Sequence, residues 1–170
     1  DEVKEDESKE EAETDAANSW GYESLKENDA VEEISKGDFD LYDTTDISLE
    51  RYKEYKIPII ITFGSETCIY CRQMEPDLMN LNKELRGKAL IKYVDIIRNK
   101  DFAEMFPIQA TPATILIDAK GNPFDPSDDY SKFIYKYKAN DSDEHGLSMA
   151  YGKLSKDQLK EILGEMNNAE

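Results

Sequence analysis

From residue 37 onward the chain alternates between two kinds of apolar pattern. Short unbroken or every-second-residue apolar runs predict strands, and recurrence at every third or fourth position predicts helices. The run PIIITF (58–63) is β-branched through most of its length, which suits a strand covered on both faces. ALIKYVDI (89–96) and ATILID (113–118) read as further buried strands, the second closed by the turn AKGN. Between the first two runs, Cys71, Met74, Leu78, Leu81 and Leu85 give a helix one apolar stripe, and a cysteine belongs to it. ISLERYKEY (47–55) and NKDFAEMF (99–106) predict shorter helices, and DFDLYD (38–43) a first strand. Near the C-terminus, Ser155 and Gln158 make a capping box, and Leu154 and Leu159 a hydrophobic staple. Leu159, Ile162, Leu163 and Met166 form that helix's buried face. Strands alternating with helices imply an α/β sandwich.

Two stretches break this rhythm. Residues 120–150 read as an insertion in which Phe133, Tyr135 and Tyr137 alternate with Ile134, Lys136 and Lys138, as in a strand of an elongated hairpin whose aromatics pack on the sheet. Residues 19–37 read as a linker, with NDAVEEIS (28–35) as a short helix turning Val31 and Ile34 inward. Ahead of it, residues 1–18 hold nine carboxylates, two lysines and a single aliphatic side chain larger than alanine. So little apolar surface cannot offset the entropy of ordering, which predicts an acidic disordered tether.

Composition then narrows the function classes. At 170 residues the chain is long enough for one domain-sized core. With 38 acidic against 21 basic residues, its net charge of −17 repels phosphate backbones and anionic headgroups, so nucleic acid is excluded as an expected partner. No apolar run reaches the roughly 20 residues of a membrane span. Because the sequence starts at Asp1, a removed precursor segment is expected, and membrane association only through an anchor on it.

The chemistry concentrates in SETCIYCRQMEP (65–76), which holds both cysteines. A Cys68–Cys71 bond closes so short a loop that it adds little stability, so a purely structural staple explains the pair poorly. Zinc needs four ligands, and the chain offers two thiols and one imidazole, His145, inside the acidic loop DSDEHG; no metal is expected. DSDEHG and DPSDD match no calcium loop and read as solvated. Redox exchange fits better. With a helix starting at about Thr67, Cys68 falls in the first turn, where free N–H groups and the helix dipole favour a thiolate nucleophile. Cys71, one turn on and facing the core stripe, is the resolving thiol.

With these residues in view, the chain resembles the thioredoxin family over about residues 38–168. PIIITF runs straight into CIYC, and Pro76 stands five residues after Cys71, where thioredoxins kink the active-site helix. Pro112 lies 44 residues beyond Cys68, at the family's cis-proline spacing, and YGKLSKDQLKEILGEM is similar to its closing strand and helix. The resemblance implies a thioredoxin-like α/β fold: a central mixed β-sheet flanked by helices on both faces, over residues 38–170, with 120–150 inserted between the last two strands. It implies a cis Thr111–Pro112 bond beside the thiols, with Thr111 offering its backbone to a substrate strand and Ile69 and Tyr70 completing the contact.

Three departures shape the functional expectation. Thr62 stands where thioredoxins bury an aspartate that assists the inner thiol, leaving Thr62 or, through water, Glu66 as candidate proton relay. Thr67 replaces the usual tryptophan, and Ile69-Tyr70 is neither Gly-Pro nor Pro-His, so a couple less oxidising than the strong oxidants is expected. The expected function is a cofactor-free, monomeric thiol-disulfide oxidoreductase acting on protein thiols and disulfides and recycled by an upstream redox partner. Its expected location is extracytoplasmic, tethered or secreted from a Gram-positive bacterium. The alternatives are a cytoplasmic thioredoxin-type reductase and an accessory module resembling those of bacteriocin export.

Overall fold

A computed structural model describes residues 31–127, 130–139 and 144–168. Helix α1 (Leu49–Glu54) is capped by Ser48, whose Oγ accepts from the Arg51 amide at 3.3 Å. Strand β1 (Ile59–Gly64) is buried at all six positions, as its run of isoleucines requires. Helix α2 (Ile69–Glu84) carries the predicted stripe: Cys71, Met74, Leu78 and Leu81, with Leu85 at the C-cap, have no exposed surface. Strands β2 (Leu90–Asp95) and β3 (Ala113–Ile117) lie close to their predicted bounds, while helix α3 (Lys100–Ala103) between them is a single turn, half the length expected over 99–106.

The last three elements are β4 (Ile134–Lys138), β5 (His145–Tyr151) and helix α4 (Lys156–Asn167). In α4 both halves of the capping box form, Gln158 N–H to Ser155 Oγ at 3.1 Å and Ser155 N–H to Gln158 Oε1 at 2.9 Å.

The strands assemble in the order β2-β1-β3-β5-β4, with β1 and β2 parallel and the other pairs antiparallel. On one face, Ile60, Ile91, Leu116 and Ala150 meet the stripes of α2 and α4. On the other, Ile59, Ile61, Phe63, Val94 and Ile115 meet Tyr52 of α1 and Ala103 of α3, with Phe63, Phe102 and Phe106 in mutual ring contact. Both faces are thus covered by helices, as an all-buried β1 demands. Among the described residues no helix is long and apolar enough to cross a membrane.

The segment 38–43 is not a strand. Phe39 and Leu41 are buried as alternation predicts, yet only the bond from Tyr93 N–H to Leu41 O (2.9 Å) ties the segment to the β2 backbone. Its other carbonyls go elsewhere. Lys92, buried in mid-strand, donates to Gly37 O, Asp40 O and Asp43 O at 2.6, 2.6 and 2.7 Å, and a chain curled around one ammonium cannot lie extended.

In the described part of 28–35 there is no helix; Val31 packs on the core, while Ile34 is exposed. The stretch 120–150 itself supplies β4 and most of β5, so it builds the far edge of the sheet. There Ile134 is the buried side chain, Tyr137 is half-buried against Tyr151, and Tyr135, though exposed, packs its ring on those of Tyr137 and Tyr151. The predicted tether, residues 1–18, lies outside the described residues.

Candidate active site

The site forms where β1 ends and α2 begins. Cys68 is the N-cap of α2 and not, as expected, a residue of its first turn; Ser65 O accepts its N–H at 3.2 Å in the preceding turn. At this position the sulfur itself caps: Cys68 Sγ accepts from the Cys71 amide at 3.2 Å. No acidic residue occupies the first turn of this 16-residue helix. A thiolate here is therefore stabilised by an amide and by the helix dipole, with no carboxylate in that turn to oppose it.

The two cysteines are joined as a disulfide with Cα atoms 5.2 Å apart. Their environments differ sharply. Cys68 is half-buried and opens to solvent between the exposed Thr67, Ile69 and Tyr70, whereas Cys71 has no exposed surface.

The Thr111–Pro112 peptide bond is cis, and Thr111 O lies 3.5 Å from Cys68 Sγ. Pro112 is buried, and its carbonyl accepts from Gly152 N–H at 2.9 Å, which fixes the bend against the loop after β5. The structure thus brings Cys68, Cys71, Thr111 and Pro112 together, with Ile69 and Tyr70 as an exposed apolar shoulder, 67% and 61% accessible.

The two candidate proton relays are differently placed. Glu66 is highly exposed and paired with Arg98 at 3.0 Å, out in solvent. Thr62 is fully buried, and its hydroxyl shares a 3.0 Å hydrogen bond with that of Thr114, its register partner on β3. Across β1 its other register partner is Tyr93 of β2.

Tyr93 and Gly64 are site residues that sequence reasoning missed. A Cβ on Gly64 would stand 2.3 Å from Tyr93 Oη and 3.0 Å from Cys71 Sγ, so only glycine leaves room for both at the end of β1. Tyr93 Oη is buried and makes no hydrogen bond of full geometry, with the Glu75 carboxylate acting on it. Burial first, then the Glu75 carboxylate, raises its phenol well above the ordinary value. Glu75 points its Oε2 at Tyr42, which donates at 3.0 Å. The signal available in the sequence was a tyrosine two residues from the end of a buried strand, which periodicity assigns to the core and no further.

Among the described residues no group of three His, Cys, Asp or Glu side chains converges as a metal site. His145 is the first residue of β5, at the opposite end from Tyr151, and its Nε2 lies 2.7 Å from Ser148 Oγ.

A five-stranded mixed sheet with a cysteine pair at the start of the helix that follows a central strand, facing a cis-proline, defines the class: a thioredoxin fold with a disulfide-linked cysteine pair. A thioredoxin-like domain model matches residues 45–127, just under half of the chain, and the fold is thioredoxin-like. It is 28% identical over 61 residues to a thioredoxin of Chlorobaculum tepidum, covering 36% of this chain and 60% of that protein. It is 27% identical over 73 residues to a thioredoxin of Rickettsia felis, covering 42% and 70%. The matched stretch thus spans about three fifths to seven tenths of these relatives. A solved thioredoxin variant from Halobacterium salinarum superposes with a TM-score of 0.50 at 16% identity, over 76% of this chain and 91% of that one, a likeness of fold.

Proposed function

We propose that the chain is a thiol-disulfide oxidoreductase that exchanges disulfides with protein substrates. The observation that carries this reading is the asymmetry of the pair: one accessible sulfur at a helix N-cap beside the Thr111 carbonyl, bonded to one sulfur wholly inside the core. Thiolate character and access select Cys68 as attacker, and burial leaves Cys71 to react with Cys68 alone.

In the reducing direction, Cys68 thiolate attacks a substrate disulfide, forming a mixed disulfide and expelling one substrate thiolate. Cys71 thiolate then attacks Cys68 Sγ, forming the intramolecular disulfide and expelling the second substrate thiolate. Two electrons pass to the substrate, and the two dithiol protons end on its thiols. Reversal oxidises a substrate dithiol. The two sulfurs suffice without a cofactor, and a second redox protein resets them. The backbone of Thr111 and the shoulder of Ile69 and Tyr70 are the surface on which an extended substrate segment would lie.

Insulin reduction by the native chain, Cys68→Ser and Cys71→Ser tests this. Turnover is expected for the native chain, none for Cys68→Ser, and a trapped mixed disulfide for Cys71→Ser. Undiminished function of Cys68→Ser in its cellular assay would replace the enzyme by an adaptor of the accessory kind. The composition of residues 1–18 supports a domain held outside the cytoplasm on an acidic spacer, and fractionation of cells expressing the protein from its native gene is the matching test.

A further inference from the structure

The resolving step needs a group that takes the proton from Cys71, and Thr62 is a poor one: a hydroxyl committed to Thr114 has no carboxylate behind it. We propose that Tyr93 does this work, its hydroxyl receiving the Cys71 proton and passing its own toward Glu75. This rests on the oxidoreductase reading and adds the proton path to it.

Three observations converge. The Tyr93 hydroxyl and Cys71 sulfur crowd the same vacant position beside the Gly64 Cα, at 2.3 and 3.0 Å from where a Cβ would stand. That hydroxyl is buried and makes no hydrogen bond of full geometry, and the carboxylate that acts on it is that of Glu75, the acceptor the relay requires. From Tyr93 a cleft lined by Tyr42, Glu75, Asp95 and Arg98 leads toward solvent, giving the proton an exit.

The charged and titratable groups around this path come from every neighbouring element. Glu75 belongs to α2, Tyr42 to the segment before α1, Asp95 to the end of β2, and Arg98 with its partner Glu66 to the loops beyond. Burial and Glu75 keep the Tyr93 phenol protonated at neutral pH, so it relays a proton by exchanging one hydrogen for another and never by ionising. In the mixed disulfide, Cys71 S–H gives its proton to Tyr93 Oη as Tyr93 Oη–H gives its own toward the Glu75 carboxylate. Cys71 thiolate then forms the bond to Cys68 Sγ, and the bond from Cys68 to the substrate sulfur breaks.

The test reacts the reduced full chain with an aryl disulfide whose thiolate product is coloured. The first release of colour reports attack by Cys68, and the second reports attack by Cys71 on the mixed disulfide. Because the aryl thiolate leaves without protonation, the second phase reads deprotonation of Cys71. Tyr93→Phe keeps the ring and deletes the hydroxyl; it should leave the first phase alone, slow the second about ten- to a hundredfold, and move its pH midpoint upward. Glu75→Gln, on a half-exposed helix face, should slow the second phase as well and carries the test if Tyr93→Phe folds poorly. A second phase of native rate and pH profile in either variant overturns the proposal. Absence of the first phase in the native chain would instead remove the oxidoreductase reading, and this inference with it.

Discussion

Replacing Gly64 by alanine probes the tightest contact of the site. The added methyl would meet Tyr93 Oη at 2.3 Å, Tyr93 Cζ at 2.8 Å and Cys71 Sγ at 3.0 Å. None can retreat freely, because Tyr93 is 6% exposed and Cys71 not at all. Overpacking of this kind costs about 1–3 kcal/mol. Against it, alanine removes freedom from the unfolded chain, worth about 0.4–1 kcal/mol where the backbone conformation is compatible. The φ of Gly64 lies outside the left-handed region, so that gain applies. The net expectation is a loss of about 1–2 kcal/mol, which at roughly 2–4 °C per kcal/mol lowers Tm by about 2–8 °C.

The double variant makes this specific. Tyr93→Phe alone deletes a buried hydroxyl that makes no hydrogen bond of full geometry and should change stability by less than about 1 kcal/mol. Combined with Gly64→Ala it removes the 2.3 Å contact and leaves those at 2.8 and 3.0 Å, so about half of the alanine penalty should return. Urea denaturation of the four proteins closes the cycle. Additivity within about 0.5 kcal/mol, or an alanine variant as stable as the native chain, would refute the close approach of β1, β2 and α2 at this point.

Other consequences follow from the buried charges. Lys92→Met strips three carbonyls of their donor and should speed limited proteolysis within residues 37–43. Burial pulls the Lys92 ammonium from 10.5 down to about 8, so between these values the unfolded chain binds more protons than the folded one. Native stability relative to Lys92→Met should therefore rise from about pH 8 to 10, a trend that urea midpoints across that range would show absent if wrong. For Asp38, burial raises the carboxyl, but hydrogen bonds from Arg51 and Tyr55 outweigh it and hold its pKa below the usual 3.8. Its contribution is present above that value and lost as pH falls through the lower folded one. Asp38→Asn should lose about 1.5–3 kcal/mol at pH 7, a difference that narrows on acidification; a gap constant with pH would count against it.

The central fold was legible because its signals are local. PIIITF could only be a strand, the stripe from Cys71 to Leu85 only a helix face, and the Ser155–Gln158 box formed as written. The cysteine pair was legible for the same reason, since spacing alone places both sulfurs at one helix start. What stayed hidden depends on contacts between distant segments. Lys92 looked like an interruption in ALIKYVDI, and nothing nearby says that its partners are carbonyls some fifty residues upstream. DFDLYD kept its alternation and lost its strand geometry to that same lysine. Gly64 and Tyr93 became site residues only once the parallel register of β1 and β2 set Thr62 against Tyr93.

These long-range contacts also connect the edge of the sheet to the redox helix. β2 is an edge strand, and its open side is covered by the 37–43 segment instead of another strand, which guards against pairing with foreign chains. Lys92 gathers that segment's carbonyls, while Asn82 of α2 bridges Phe39 O at 2.7 Å and Ile91 O at 3.1 Å. The same segment then delivers Tyr42 to Glu75, one turn beyond Cys71. Loosening the cover thus reaches the proposed proton path through a defined chain of bonds. Lys92→Met should slow the second colour phase through loss of the Tyr42–Glu75 contact, and Tyr42→Phe should reproduce the part of that slowing which does not come from lost stability. If Lys92→Met frees the segment to protease yet leaves the second phase at the native rate, the cover and the redox pair are mechanically independent.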